Sequence, residues 1–252
     1  MTAAALVDSH CHFDLFQNPR QVIQETEKNR IHSIAVTNTP SVFDPMQQLT
    51  NGLTYVRPAV GLHPELAIQR ASELPIFERK VAETRYVGEV GLDYRAAVRP
   101  AERANQRAIF ESILSHCANA GKRILTVHSR RAEADVVAAL REYQPGPFIL
   151  HWYSGSLKTL STAVAAGAYF SVNVAMVRSK RSSRLIQEIP PDRMLTESDG
   201  PFVQLGGQPA RPSSVLKVLA EIAHIQGRDP RELRARVLAN LKDLWTEIPE
   251  AD

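Results

Sequence analysis

Short apolar segments of β character recur eight times along this chain, alternating with longer stretches of helical spacing, and that alternation narrows the folds open to it. The segments are "ALV" (5–7), "SIAVT" (33–37), "VRPAV" (56–60), "YVGEV" (86–90), "ILTV" (124–127), "FIL" (148–150), "AYFSV" (168–172) and "RMLTE" (193–197). Helix-like stretches occupy 19–30, 73–84, 101–120, 131–143 and 157–166, and two more, 213–226 and 229–245, follow the last strand. In the longest, Ile109, Ile113, Leu114 and Cys117 recur at three or four residues, and Gly121 stands where a C-terminal stop is expected. Strands joined by right-handed crossovers run parallel, so eight such units predict an α/β fold, a closed (β/α)8 TIM barrel with extra C-terminal helices. An open doubly wound sheet is the competing arrangement.

The placement of polar residues favours the barrel, where active sites gather at the carboxyl ends of the strands. Those ends carry His10 and His12 (first), His63 (third), Glu89 (fourth), His128 (fifth), His151 (sixth) and Asp199 (eighth). Neutral imidazoles with carboxylates hold hydrolytic divalent cations, and one carboxylate can bridge two ions about 3.5–4 Å apart. Residues two apart on a strand share a face, so His10 and His12 can grip one ion. Asp8 shares that face and reads as a group orienting a ligand, whereas Asp14, past the strand end, reads as a cap or surface charge. Gly88 and Gly91 flank Glu89, as expected where a side chain is aimed into a crowded centre. Each piece is weak alone: a lone His-x-His is more often incidental, and "SDGP" (198–201) alone is more often a turn. The ordered set at consecutive strand ends is much harder to obtain by accident.

Composition excludes little more than extremes. The 252 residues are 44% hydrophobic and 23% charged, enough for a sizeable core, and they carry a net charge of +3, too small to indicate nucleic-acid binding by itself. No apolar run approaches the roughly 20 residues of a membrane helix, and no signal-peptide pattern opens the chain. A soluble cytoplasmic protein, one domain over 1–252, with no membrane association, is therefore expected. The two cysteines, Cys11 and Cys117, form no CxxC and read as reduced core thiols. His32, His116 and His224 read as structural or surface residues, and Trp245 as a core anchor.

In order and spacing, "VDSHCHFD" (7–14), "GLHP" (61–64), "GEVGLDY" (88–94), "VHSR" (127–130), "HWYSG" (151–155) and "TESDGPF" (196–202) resemble the motifs of the TatD family of metal-dependent deoxyribonucleases. The resemblance implies an amidohydrolase-like barrel with one or two divalent ions, magnesium being usual and manganese or zinc the alternatives. It implies that His10, His12, Glu89 and Asp199 surround one ion and that Glu89, His128 and His151 surround the other. It also sets His63 beside the centre, against the substrate phosphate. The catalytic residues expected are thus Asp199, which accepts the proton of the attacking water or only binds metal, with Glu89 and His63.

The chain departs from the family after Asp199, where "VQLGGQPARPSS" stands in place of a longer basic and Asn-Glu-Pro segment, so the substrate-side rim differs from the family's. "VTNTPS" (36–41) and the double arginine of "VHSRRAEADVV" resemble TatD-like nucleases of Qat-type anti-phage clusters, implying protein partners in a defence complex. Arg130, Arg131, "VRSKRSSR" (177–184) and Arg211 form a candidate phosphate-tracking rim, and Trp152, Tyr153, Tyr94 and Phe202 are candidates to stack bases of single strands or frayed ends. The bland alternatives are a solvated helix start for the basic run and pocket walls for the aromatics. DNA hydrolysis by a monomer or small homo-oligomer is the leading expectation. A small-molecule or acyl hydrolase on the same barrel is the second, disfavoured because the bridging position is Glu89 with no lysine between 81 and 121. A mainly DNA- or protein-binding subunit is the third, which a missing ligand would have favoured.

Overall fold

The computed structural model describes residues 4–248. The eight apolar segments form eight parallel strands in sequential order: β1 (Leu6–Cys11), β2 (Ile31–Ala35), β3 (Val56–Val60), β4 (Tyr86–Gly91), β5 (Ile124–His128), β6 (Phe148–His151), β7 (Tyr169–Val172) and β8 (Met194–Thr196). Seven ladders join neighbours from β1 to β8. The last gap is closed differently. Asp199 N–H donates to His10 O and His12 N–H to Gly200 O, both at 2.9 Å, while the Thr196 hydroxyl donates to Val7 O and the Ser9 hydroxyl to Thr196 O. The result is a nearly closed (β/α)8 barrel, and the doubly wound alternative is excluded because the strand order never reverses.

Helices alternate with the strands, and local sequence starts them. Asn18 caps Pro19–Lys28 by accepting from Gln21 N–H, Ser156 caps Leu157–Ala165, and Asp229 caps Pro230–Thr246 by accepting from Arg231 and Glu232 N–H. In the 20-residue helix Pro100–Asn119, the buried stripe is Gln106, Phe110, Ile113, Leu114 and Cys117. Two helices that the apolar pattern left unmarked, Phe43–Thr50 and Lys180–Glu188, fill the crossovers after β2 and β7. The first is short and begins with Pro45 in its opening turn; the second is polar except for buried Leu185 and Ile186. Both cysteines are free and buried, and no helix among the described residues is long and apolar enough to cross a membrane.

Candidate metal centre

Glu89 stands at the middle of the carboxyl end of the barrel, on a strand whose six residues are all buried. Its neighbours have no room for side chains. A Cβ on Gly88 would lie 2.1 Å from Thr126 Cγ2, and one on Gly91 (φ +143°) would lie 2.0 Å from His128 O. The glycines therefore let β4 and β5 approach while the one large side chain between them enters the interior.

Around this carboxylate five imidazoles divide into two sets. Glu89 Oε2 lies 3.3 Å from His10 Nε2 and 3.2 Å from His12 Nε2, with Asp199 Oδ1 at 3.9 and 3.7 Å from the same two nitrogens. Glu89 Oε1 lies 2.7 Å from His128 Nδ1, 2.9 Å from His151 Nε2 and 3.3 Å from His63 Nε2. Every residue expected at the metal is thus in one cluster. His63 is nearer than expected: with Glu89 and His128 it offers ligand atoms within 4.8 Å of one another, as do His10, His12 and Glu89.

Partners on the far side of His10, His128 and His151 leave the other nitrogen of each ring facing inward. Asp93 Oδ2 accepts from His128 Nε2 at 2.8 Å, so the Nδ1 lone pair faces Glu89. His10 Nδ1 is bonded to the Thr126 hydroxyl at 2.7 Å, leaving Nε2 inward, and His151 Nδ1 lies 3.5 Å from Glu197 Oε1 with its Nε2 inward. Inward nitrogens consequently confront one another, His10 Nε2 against His12 Nε2 at 3.2 Å and His151 Nε2 against His128 Nδ1 at 3.4 Å, while His12 Nδ1 has no hydrogen-bond partner among the described residues. Two ring nitrogens this close need a proton or a cation between them, and this buried N/O donor set fits divalent metal. His63 is wired the other way. Its Nδ1 accepts from Glu65 N–H at 3.1 Å, so in the neutral ring Nε2 carries the proton and donates.

Electrostatics follow from burial and from this crowding. Burial alone would raise the Glu89 carboxyl, but His63, His151 and His10 hold it well below the usual carboxylate range. Burial would depress His128 and His151; Asp93 and Glu89 raise the former, and Glu89 and Glu197 raise the latter well above the ordinary value. Asp199 is pushed well up by burial, against the pull of His151, with Glu197 and Glu89 adding to the rise. Its backbone sits in the left-handed region at φ +48°, as do Arg131 (+58°) and Trp152 (+41°), three non-glycine residues in loops beyond strand ends.

Asp93 and Glu197 lie within the motifs and Thr126 on the fifth strand, three residues to which the sequence pattern alone assigns no role. Thr126 could have been found by alternation, since it precedes His128 by two on β5. Glu197 is fully buried and accepts from the Ser171 hydroxyl and from Asn173 Nδ2; an acid next to an apolar strand was the available signal. Asp8 accepts from Ser198 N–H (2.8 Å) and hydroxyl (2.6 Å), which holds the turn carrying Asp199 instead of touching a ligand ring; burial pushes its carboxyl up to about 7. Asp14 is half-buried, and its Oδ1 lacks a hydrogen-bond partner.

The aromatic and basic candidates separate. Trp152 and Phe202 are 39% and 60% exposed, Phe202 standing edge-on to the His12 ring at 5.0 Å. Tyr153 corrects the expectation that it contacts substrate: its ring is fully buried against Phe170, and its hydroxyl donates to Ser156 O. Tyr94 has Arg103 over one face and donates to Asp135. Arg130 and Arg131 are exposed beyond β5, Arg181 donates to Ser154 O, and Arg211 is ion-paired to Glu25.

The family model of TatD-related DNases matches residues 7–246. A metal-dependent hydrolase of Bacillus subtilis, YabD, is 27% identical over 95% of this chain and 98% of its own length. The 3'-5' ssDNA/RNA exonuclease TatD of Citrobacter koseri is 28% identical over 73% of this chain and 76% of its own. In the crystal structure of YjjV, a TatD homolog from Escherichia coli, the same fold is found with a TM-score of 0.82 at 22% identity, covering 95% of this chain and 97% of that one. The matched span runs from the strand bearing His10 to the last helix, and over that span the chain belongs to the TatD-related DNases, a family of metal-dependent hydrolases.

Proposed function

We propose that this protein cleaves phosphodiester bonds of single-stranded DNA or frayed DNA ends, with one or two divalent ions held by the Glu89 cluster. The observation that carries the reading is the two-sided Glu89 carboxylate, one oxygen toward His10 and His12 and the other toward His128 and His151. His10, His12, Glu89 and Asp199 would hold one ion, and Glu89, His128 and His151 the other, magnesium or manganese suiting the carboxylates and zinc the imidazoles. When bound, such ions supply Lewis acidity toward phosphoryl oxygen and acidify water.

The chain's own residues supply the rest. Asp199 accepts the proton of the attacking water on its carboxylate and holds that water in line. His63, with its proton on Nε2, donates to a phosphate oxygen beside Glu89. Exposed Trp152 and Phe202 offer ring faces on which unpaired bases stack, and Arg130 with Arg131 tracks the backbone. A duplex keeps its bases inside the helix, so this mouth favours single strands.

The test is cleavage of single- and double-stranded DNA, with free and blocked ends, in Mg2+, Mn2+ and EDTA. Glu89→Ala, with Glu89→Gln as the isosteric control, should abolish divalent-dependent cleavage while the circular dichroism spectrum is retained; full activity in EDTA overturns the reading. An acyl or small-molecule hydrolase would instead turn over esters and leave DNA intact. The defence association rests on the "VTNTPS" and "VHSRR" stretches, and the genes beside this one test it.

A further inference from the structure

Between residues 143 and 187 the chain carries five basic side chains and no acidic one, which exceeds its whole net charge of +3. The five are Lys158, Arg178, Lys180, Arg181 and Arg184, and all are exposed. They fall on two neighbouring crossovers, the ones that follow β6 and β7, strands paired side by side. Positive charge is therefore concentrated over one side of the carboxyl mouth, next to the metal centre.

Local sequence turns these side chains outward. Asn173 caps the single turn Val174–Val177 by accepting from Met176 N–H, and Ser179 caps Lys180–Glu188 by accepting from Ser182 N–H. In the second helix Leu185 and Ile186 are buried, while Lys180 and Arg181 stand four and three residues before Arg184, so the three share its outer face. Arg181 donates to Ser154 O at 3.2 Å, and the Ser154 hydroxyl donates to Glu133 Oε1 at 3.3 Å. Those bonds pin the loop of Trp152 between the helices that follow β5 and β7, and they engage the Glu133 carboxylate. Lys158, Arg178, Lys180 and Arg184 form no ion pair among the described residues.

Unpaired cations beside exposed Trp152 and Leu157 match a single-stranded polynucleotide, whose successive phosphates meet the cations and whose unpaired bases meet the apolar surface. An acidic polypeptide would answer the charges alone, whereas this row begins at Trp152, one residue beyond His151. We propose that the crossovers after β6 and β7 form a strand track leading away from the metal centre, from Trp152 past Lys158 and Arg178 to Lys180 and Arg184. The track makes the protein select polynucleotides long enough to reach it over di- and trinucleotides. This rests on the phosphodiesterase reading above and adds to it where the strand lies and what length it needs. Arg181, engaged with Ser154 O, holds the Trp152 loop and is left intact in the test.

The test compares fluorescent oligo(dT) of 3 and 15 nucleotides, in Mg2+ or Mn2+, on wild-type protein and on Lys180→Ala with Arg184→Ala. Both side chains are exposed and unpaired, so the fold should persist, checked by circular dichroism. Wild-type KM should be at least tenfold lower for the 15-mer than for the 3-mer. The double variant should raise KM for the 15-mer at least fivefold, with kcat within twofold, and leave the 3-mer unchanged; Lys180→Arg with Arg184→Lys should keep wild-type values. For a phosphorothioate 15-mer, which keeps its charge and resists cutting, the log–log salt slope of binding should fall by about 1.4, two phosphates at about 0.7 each. Equal wild-type KM values for the two lengths, an unchanged slope, or the same loss on the 3-mer overturns the proposal. So does poly-glutamate displacing the 15-mer as readily as unlabelled DNA of equal charge, which would assign the patch to an acidic protein. Wild-type protein that cuts DNA without regard to length loses this proposal alone. Protein that binds the 15-mer through Lys180 and Arg184 yet cuts nothing loses the cleavage reading alone, and protein that binds neither oligonucleotide loses both.

Discussion

Asp93→Asn tests whether the far side of His128 sets its coordinating nitrogen. Asp93 is fully buried and uses both carboxylate oxygens: Oδ2 accepts from His128 Nε2 at 2.8 Å, while Oδ1 accepts from Arg95 N–H at 2.7 Å and Ala96 N–H at 3.0 Å. An amide has one acceptor oxygen. If it faces His128, its NH2 meets two backbone donors and the turn loosens. If it faces the turn, NH2 meets the Nε2 proton, and relief requires the proton to move to Nδ1, the atom 2.7 Å from Glu89 Oε1. Either way the lone pair offered inward is lost or misaimed. Loss of such an orienting partner weakens metal binding by about 10–100-fold, equivalent to about 1.4–2.7 kcal/mol. The assay is DNA cleavage against Mg2+ or Mn2+ concentration. The half-saturating concentration should rise by about 10–100-fold, with most of the rate recovered at saturation. A metal requirement equal to wild type, with a lower rate at saturating metal, would refute the reasoning and assign Asp93 to the chemical step.

The other expectations concern pH, charge and stacking. His128 and His151 have pKa values raised in the metal-free chain, so each holds its proton to higher pH and an entering ion must displace it. Activity at limiting metal should therefore climb with pH through neutrality and fall away below about 6, and saturating metal should move that acid limb to lower pH; an acid limb indifferent to metal concentration contradicts histidine ligation. Arg130→Ala with Arg131→Ala should lower the log–log salt slope of single-strand binding by roughly 1.4 if each side chain neutralises one phosphate, and an unchanged slope returns both to plain solvated surface. Trp152→Ala and Phe202→Ala should each weaken single-strand binding by about 1–3 kcal/mol per lost stack, measured by fluorescence anisotropy, and wild-type affinity in both would remove the stacking role. Tyr153→Phe should leave affinity unchanged and lower stability by about 1 kcal/mol, because it deletes only the bond to Ser156 O.

The strands and the inward-facing ligands were legible because both are written in local pattern. An apolar run ending in His or Glu marks itself, and β4 to β6 end at Gly91, His128 and His151 with the ligands on or beside those ends. What was not legible depends on partners distant in sequence. Tyr153 and Trp152 are adjacent in one motif, yet one is fully buried and the other 39% exposed, and only the left-handed turn at Trp152 separates their fates. The direction of the His63 ring was likewise invisible, since it is set by the backbone N–H of Glu65 at the start of a single helical turn.

The closing seam shows why the least regular part of the barrel coincides with its chemistry. β8 is three residues long and forms no ladder with β1. A regular ladder would carry the backbone past Thr196 in extended form, alternating side chains in and out, and would leave Asp199 no route back toward His12. Instead Asp8 takes two hydrogen bonds from Ser198, the Thr196 hydroxyl donates to Val7 O and the Ser9 hydroxyl to Thr196 O across the gap, and Asp199 turns at φ +48°. Asp8→Asn keeps one acceptor where two are used. It should loosen this turn and weaken metal binding with the first ion's ligands otherwise intact, while Asp8→Ala should also lower thermal stability. If both variants load metal as wild type does, the seam is structural only, and Asp199 is positioned by β8 alone.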